Sequence, residues 1–237
     1  CKAIETGEEY NADIAVQRIV EGVEGLLNKT SGFTFDRILF IIGNDILHTD
    51  NAKRTTTSGT PQDTDGMWFS NFMIAKDIYI RMIEKLSAIA KVTVQYDPSN
   101  HDFTNGFFLA DTISSWFSKS EIQFNVTPSH RKYFTYGSNL IGTTHGDGAK
   151  ETDLPLLMAQ EASEHWHKCR HRYWYTHHIH HKKSKEYGSV MVESLRSASG
   201  TDSWHHRNGY QHSTKAIEAY IHHPTQGQIA RFTHIFV

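Results

Sequence analysis

The chain has 237 residues, 38% of them hydrophobic and 21% charged, enough for one large domain or two small ones and too apolar for wholesale disorder. Lys and Arg number 24 against 26 Asp and Glu, a formal charge of -2, so no global basic excess points to nucleic acid. The longest apolar runs, such as Ile38 to Ile42, are too short to span a bilayer. No signal-peptide pattern opens the chain. Two cysteines, Cys1 and Cys169, make neither a disulfide framework nor a four-Cys zinc site. Despite sequons at Asn28 and Asn125, the expected compartment is the reducing cytoplasm.

In chain order, the spacing of Ile14, Ile19, Val23, Leu26 and Leu27 predicts an amphipathic helix over 12–28. The β-branched run from Arg37 to Gly43 suits a buried strand. Residues 50–66, rich in Thr, Gly and Asp, read as a loop long enough to carry a function. Helical periodicity returns over 67–90, a strand follows from Lys91 to Tyr96, then a helix over 105–117 and a short strand from Ile122 to Val126. Two strands, Tyr133 to Tyr136 and Asn139 to Thr144, flank the turn Gly137-Ser138. A helix is expected from Leu154 to Glu164, with strands at 172–176, 188–192, 216–221 and 229–236. Helices and strands alternate early and strands dominate later, which predicts a layered α/β sandwich. Without repeat or linker, one domain over 1–237 is the simplest organisation.

Four polar clusters each follow a predicted strand, where side chains from distant segments converge in α/β sheets. The first is Gly43-Asn44-Asp45-Ile46-Leu47-His48-Thr49-Asp50. Its carboxylate could bridge two cations, or equally cap a helix or turn. The second is Asp97-Pro98-Ser99-Asn100-His101-Asp102, where an Asn carbonyl can ligate a hard metal and a His beside a carboxylate can act as general acid; alone it also reads as a capped turn. The third is Thr143-Thr144-His145-Gly146-Asp147-Gly148, whose His is a ligand or a structural residue. The fourth is Thr176-His177-His178-Ile179-His180-His181. In extended chain its i, i+2 imidazoles would share one face; otherwise it is a surface cluster. The chain holds 17 His, seven of them between His165 and His181, and imidazole is the commonest metal ligand.

The order of these blocks resembles the calcineurin-like metallophosphoesterase superfamily, whose signature runs Asp-x-His, Gly-Asp, Gly-Asn-His-(Asp/Glu), His and Gly-His-x-His. Four of the five blocks stand here in order over residues 36–181. The segments Thr56-Thr57-Ser58-Gly59-Thr60-Pro61 and Asp202-Ser203-Trp204-His205 look like the phage-associated members. The resemblance implies an α-β-β-α sandwich. It makes Asp45 the carboxylate bridging two divalent metals, Asn100, His145 and His178 ligands of the second metal, and His180 a ligand of the first. His101 would protonate the leaving oxygen with Asp102 as orienting partner. Manganese, iron or zinc suits these oxygen and nitrogen donors. The sequence departs from the pattern in Asn44, which separates Gly43 from Asp45, in Ser99 where Gly is usual, and in His177 where Gly opens the last block. It also lacks the first strand with its Asp-x-His, expected upstream of Cys1.

The implied activity is hydrolysis of a phosphate ester. Arg170, Arg172, Lys182, Lys183, Lys185, Arg131, Lys132, Lys53 and Arg54 could hold a polynucleotide backbone, and Tyr173, Trp174 and Tyr175 could stack on bases, although a strand beneath a site is normally core. A phosphodiester in DNA or RNA is the favoured substrate. Without the Asp-x-His block the chain could instead be a non-catalytic module that binds one metal or none and interacts with nucleic acid or protein. A single-zinc hydrolase built on the His-rich tract is a third reading; it leaves Asp45 and Asn100 unexplained.

Overall fold

A computed structural model describes residues 2–3, 8–201, 206–207, 209 and 212–237; Cys1 and the Asp202–His205 segment lie outside the described residues. Mixed α/β structure is observed, with one parallel and one mixed sheet. The residues group into two compact units, Cys1–Pro128 with Ala198–His212, and Ser129–Ser197 with Ser213–Val237.

In the first unit two short strands, β1 (Lys2–Ala3) and β2 (Glu8–Glu9), pair antiparallel. Helix α1 (Ala12–Lys29) begins where the Asn11 side chain accepts the N–H of Ile14, an N-cap that satisfies one of the open donors of the first turn. Strands β3 (Arg37–Gly43), β4 (Lys91–Asp97) and β5 (Gln123–Asn125) form a parallel sheet in the order β3-β4-β5. Helices α2 (Trp68–Ser87) and α3 (Phe103–Trp116) are the crossovers. All of β4 after Lys91 is buried, as a strand covered on both faces must be. Ile42, Val94 and Tyr96 pack with Ile83 of α2 and Leu109 and Ile113 of α3 in one apolar cluster. Residues 198–200 pack within this unit: Arg18 donates to the carbonyl of Ala198, and Gly200 lies against the Tyr10 ring.

The second unit has a five-stranded sheet of order β6-β7-β8-β10-β9, built from β6 (Lys132–Tyr136), β7 (Asn139–Thr144), β8 (His171–Thr176), β9 (Lys183–Tyr187) and β10 (Val190–Ser194). Strands β7, β8 and β10 are parallel; the two edge strands are antiparallel to their neighbours. Helix α4 (Leu154–Glu161) packs Leu154 and Met158 with the fully buried Trp174. The indole N–H finds the Leu154 carbonyl at 2.9 Å, and Gly142 is required beside it, since a Cβ there would lie 2.7 Å from the indole. The expected helix to 164 stops at Ala162, and a single turn α5 (Ser163–Trp166) follows. The strand expected at 188–192 starts instead at Val190: Gly188, with φ 61°, belongs to the turn that joins it to β9. Cys169 is a free thiol buried in this core, and burial pushes its pKa up. No helix among the described residues is long and apolar enough to cross a membrane.

Strands β11 (Ala216–His223) and β12 (Gly227–Ile235) pair as an antiparallel ribbon with a bulge at Ile221/His222. The ribbon meets the sheet through polar and aromatic groups. The Tyr175 hydroxyl donates to Gln228 Oε1 and lies 3.0 Å from His222 Nε2. The buried His222 Nδ1 has no hydrogen-bond partner, so charging this ring would add an unsatisfied donor. Burial, reinforced by repulsion from His171, lowers its pKa to about 4. An unfolded chain takes up this proton near the ordinary value of about 6.5, so in the window between, the unfolded state binds more protons and stability rises with pH. The unit is expected to lose about 3 kcal/mol as pH falls from 6.5 to 4. Urea unfolding across that window should show this slope in the wild type and a much weaker one in His222→Gln; equal slopes would remove His222 as the cause.

Candidate metal and phosphate-ester site

Each unit brings two of the four polar clusters together at one sheet edge. In the first, β3 and β4 run parallel with Gly43 opposite Asp97, so the segments after them emerge side by side. In the second, β7 and β8 run parallel with Thr144 opposite Thr176, and His145 and His177 follow directly. Crevices at the carboxyl ends of parallel strands are where α/β sheets bind ligands.

The first-unit edge is tied together by hydrogen bonds from the chain's own polar residues. Asp45 Oδ1 accepts the backbone N–H of His101 at 3.2 Å, and the Asp45 N–H donates to Ser99 Oγ at 2.9 Å. Ser99 Oγ in turn donates to Asp102 Oδ1, while Asp102 Oδ2 accepts the N–H of Leu47 at 2.8 Å. Ser99 therefore does what the Gly usual in the resembling family could not: its hydroxyl joins the two loops. Asp102 is fully buried, and these bonds make it a brace for the 44–48 loop. His101 Nδ1 lies 3.1 Å from His48 Nδ1. Asn100 is half-buried, and its backbone carbonyl accepts the N–H of Thr57.

The long 50–66 loop contributes to the same edge. Asp50 Oδ1 accepts the N–H groups of Thr104 and Asn105 at 2.8 and 2.7 Å, capping α3 with a carboxylate that complements the helix dipole. Thr57 Oγ1 accepts the Phe103 N–H. Sequence reasoning did not single out Thr57 or foresee the linking role of Ser99. The signal available was the Thr-rich composition of a loop that had to satisfy its own backbone.

At the second-unit edge His145 is buried and His178 half-buried, with His178 Nδ1 3.2 Å from His145 Nε2. His180 is half-buried two residues further along the loop. This loop is not extended: His178 and His180 have φ of 63° and 56°, so the alternation argument for two imidazoles on one face does not hold. His177, at the usual Gly position, does not take positive φ; its N–H bonds the His145 carbonyl at 2.8 Å. Six non-glycine residues among those described have positive φ, and five of them, Asn44, Asp45, His48, His178 and His180, lie in the first and fourth clusters. Such strain, about 1–2 kcal/mol per residue, persists where surroundings over-determine the backbone and gathers at functional sites.

The cations expected to hold a polynucleotide are largely engaged within the protein. Arg131 pairs with Glu161, Lys183 with Glu151 and Lys182 with Glu193, and Lys132 is buried on the Ser129 carbonyl. Arg172 stacks on Trp166 and donates to its carbonyl. Lys53, Arg54 and Arg170 are exposed. Trp174 and Tyr175 are buried, so those rings are core.

No family model matches the chain, and no curated protein matches it. Among solved structures it is similar to wild-type Vps29 complexed with zinc from Entamoeba histolytica, at 12% identity and a TM-score of 0.36, over 65% of this chain and 88% of that one. A Vps29 double mutant from the same organism matches at 13% identity and a TM-score of 0.36, over 66% and 89%. A conserved uncharacterized protein, a predicted phosphoesterase from Streptococcus pneumoniae, matches at 11% identity and a TM-score of 0.30, over 69% and 72%.

Proposed function

We propose that the chain is a metal-dependent phosphoesterase that hydrolyses a phosphodiester such as nucleic acid, with His101 as general acid. The observation that carries this reading is the His145–His178 pair at the carboxyl ends of β7 and β8. Two imidazole nitrogens that each sit about 2.0–2.1 Å from one tetrahedral cation lie about 3.3 Å apart, and this pair is separated by 3.2 Å. The donors thus fit a divalent metal. By the resemblance, Asp45 and Asn100 would add oxygen ligands, and Asp45 with His180 would serve a second ion, with manganese preferred and iron or zinc acceptable. A bound cation of this kind supplies Lewis acidity and lowers the pKa of a water.

The chain's own residues do the rest. Contact with His48 engages His101 Nδ1, which leaves Nε2 as the atom to donate a proton to the leaving oxygen. The backbone bond from His101 to Asp45, reinforced through Ser99 and Asp102, fixes where that ring starts. Exposed Lys53 and Arg54 in the 50–66 loop would supply positive charge for a polyanionic substrate; Arg170 precedes β8 at the end away from the histidine pair.

Hydrolysis of bis-p-nitrophenyl phosphate with added manganese tests the reading. Turnover is expected only with the metal and should fall by at least about tenfold in Asn100→Ala. A chain that stays inactive with manganese, iron or zinc, both by itself and with an upstream Asp-x-His segment restored, would overturn it in favour of a non-catalytic module.

A further inference from the structure

We infer that Lys182, Glu193 and Tyr220 form a positioning network that holds the 177–181 loop so that His178 meets His145; the inference rests on reading that pair as metal ligands. The loop contains two left-handed non-glycine residues, His178 and His180, which would relax to ordinary conformations unless both ends were held. At its entrance the His177 N–H bonds the His145 carbonyl at 2.8 Å, and the Ile179 N–H bonds the His177 carbonyl at 2.7 Å. At its exit Ser194 Oγ donates to the His181 carbonyl at 2.9 Å. The next residue, Lys182, is clamped: its ammonium donates to Glu193 Oε2 and, at 2.7 Å, to the Tyr220 hydroxyl.

These anchors come from two different strands, β10 for Glu193 and β11 for Tyr220. Glu193 stands opposite Tyr175 in the parallel register and is almost fully buried, and the Lys182 side chain is only 12% exposed. Glu193 Oε2 also lies 3.3 Å from the Tyr220 hydroxyl and 3.7 Å from Arg231. A buried ion pair is a weak source of stability, because desolvation offsets its attraction. What it supplies is geometric: a charge that has one satisfactory location fixes the residue that carries it, and Lys182 is the residue where the histidine loop ends. Groups that support ligands in this way affect affinity without touching the metal.

Lys182→Met tests the network, with hydrogen exchange of the His177 and Ile179 amides as a readout that needs no metal. Exchange at these two amides is expected to accelerate about tenfold or more while β8 and β10 amides keep their protection. Zinc or manganese affinity should fall about 10–100-fold. Lys182→Arg should restore part of both, and Lys183→Met, which breaks the neighbouring exposed pair with Glu151, should change neither. If Lys182→Met does not fold, Tyr220→Phe removes one hydroxyl and should give the same exchange pattern at about threefold amplitude. Unchanged exchange at His177 and Ile179, or acceleration spread evenly over the sheet, would overturn the inference. Accelerated exchange in Lys182→Met beside a wild type that binds no metal would leave the network standing and remove the ligand reading. Metal binding with unchanged exchange would do the reverse.

Discussion

Replacing His178 by alanine is expected to weaken zinc or manganese binding by more than the roughly 10–100-fold that losing a supporting contact costs, with the fold retained. His178 follows β8 rather than lying within it and is only half-buried, so its removal opens no core cavity, unlike that of the buried His145. It takes away one of two nitrogens held at the separation a single cation requires. A second substitution separates ligation from strain. His178→Gly relieves a backbone held at φ 63° and should raise stability by about 1 kcal/mol, yet bind metal as poorly as the alanine variant. Calorimetric titration of the metal, with thermal melts alongside, reads both quantities. Wild-type affinity in either variant would remove His178 from the ligand set.

That the two imidazoles would meet was legible only in part. The placement of His145 and His177 just past two strands could be read, because β-branched and aromatic runs such as Arg172 to Thr176 end abruptly in polar residues. The parallel register that sets Thr144 beside Thr176 is a long-range fact with no local signature. The loop departs from the extended conformation its sequence suggests because positive φ is signalled by glycine, and here histidine adopts it at 178 and 180. The same limit applies to Asn44, Asp45 and His48. Strand β3 was legible at both ends, since Arg37 to Gly43 is an apolar run bounded by turn residues. Strand β9 was not: Lys183-Ser184-Lys185-Glu186-Tyr187 is polar and mostly exposed, the charged composition that protects a sheet edge and hides it from hydrophobic pattern. Nor could any window reveal that 198–212 belongs with the first unit while 213–237 belongs with the second.

His101→Ala is expected to show the other large effect, and its size should depend on the leaving group. A general acid matters in proportion to how badly the departing oxygen needs a proton. p-Nitrophenolate leaves readily as an anion, so the variant should hydrolyse its esters at close to the wild-type rate. An alkoxide, such as the sugar oxygen of a dinucleotide, leaves poorly, and there the loss in kcat should be about 100- to 10,000-fold. The comparison is also a test of the His48 contact. If the 3.1 Å approach of the two Nδ1 atoms holds the His101 ring with Nε2 towards the leaving oxygen, His48→Ala should reproduce the same leaving-group dependence at a smaller amplitude, because the acid remains but its ring is no longer held in place. Equal losses on both esters in His101→Ala would mean that His101 orients the phosphate group and does not protonate the leaving oxygen. The imidazole's contribution would then be positional, and the proton would have to come from another group at the same sheet edge.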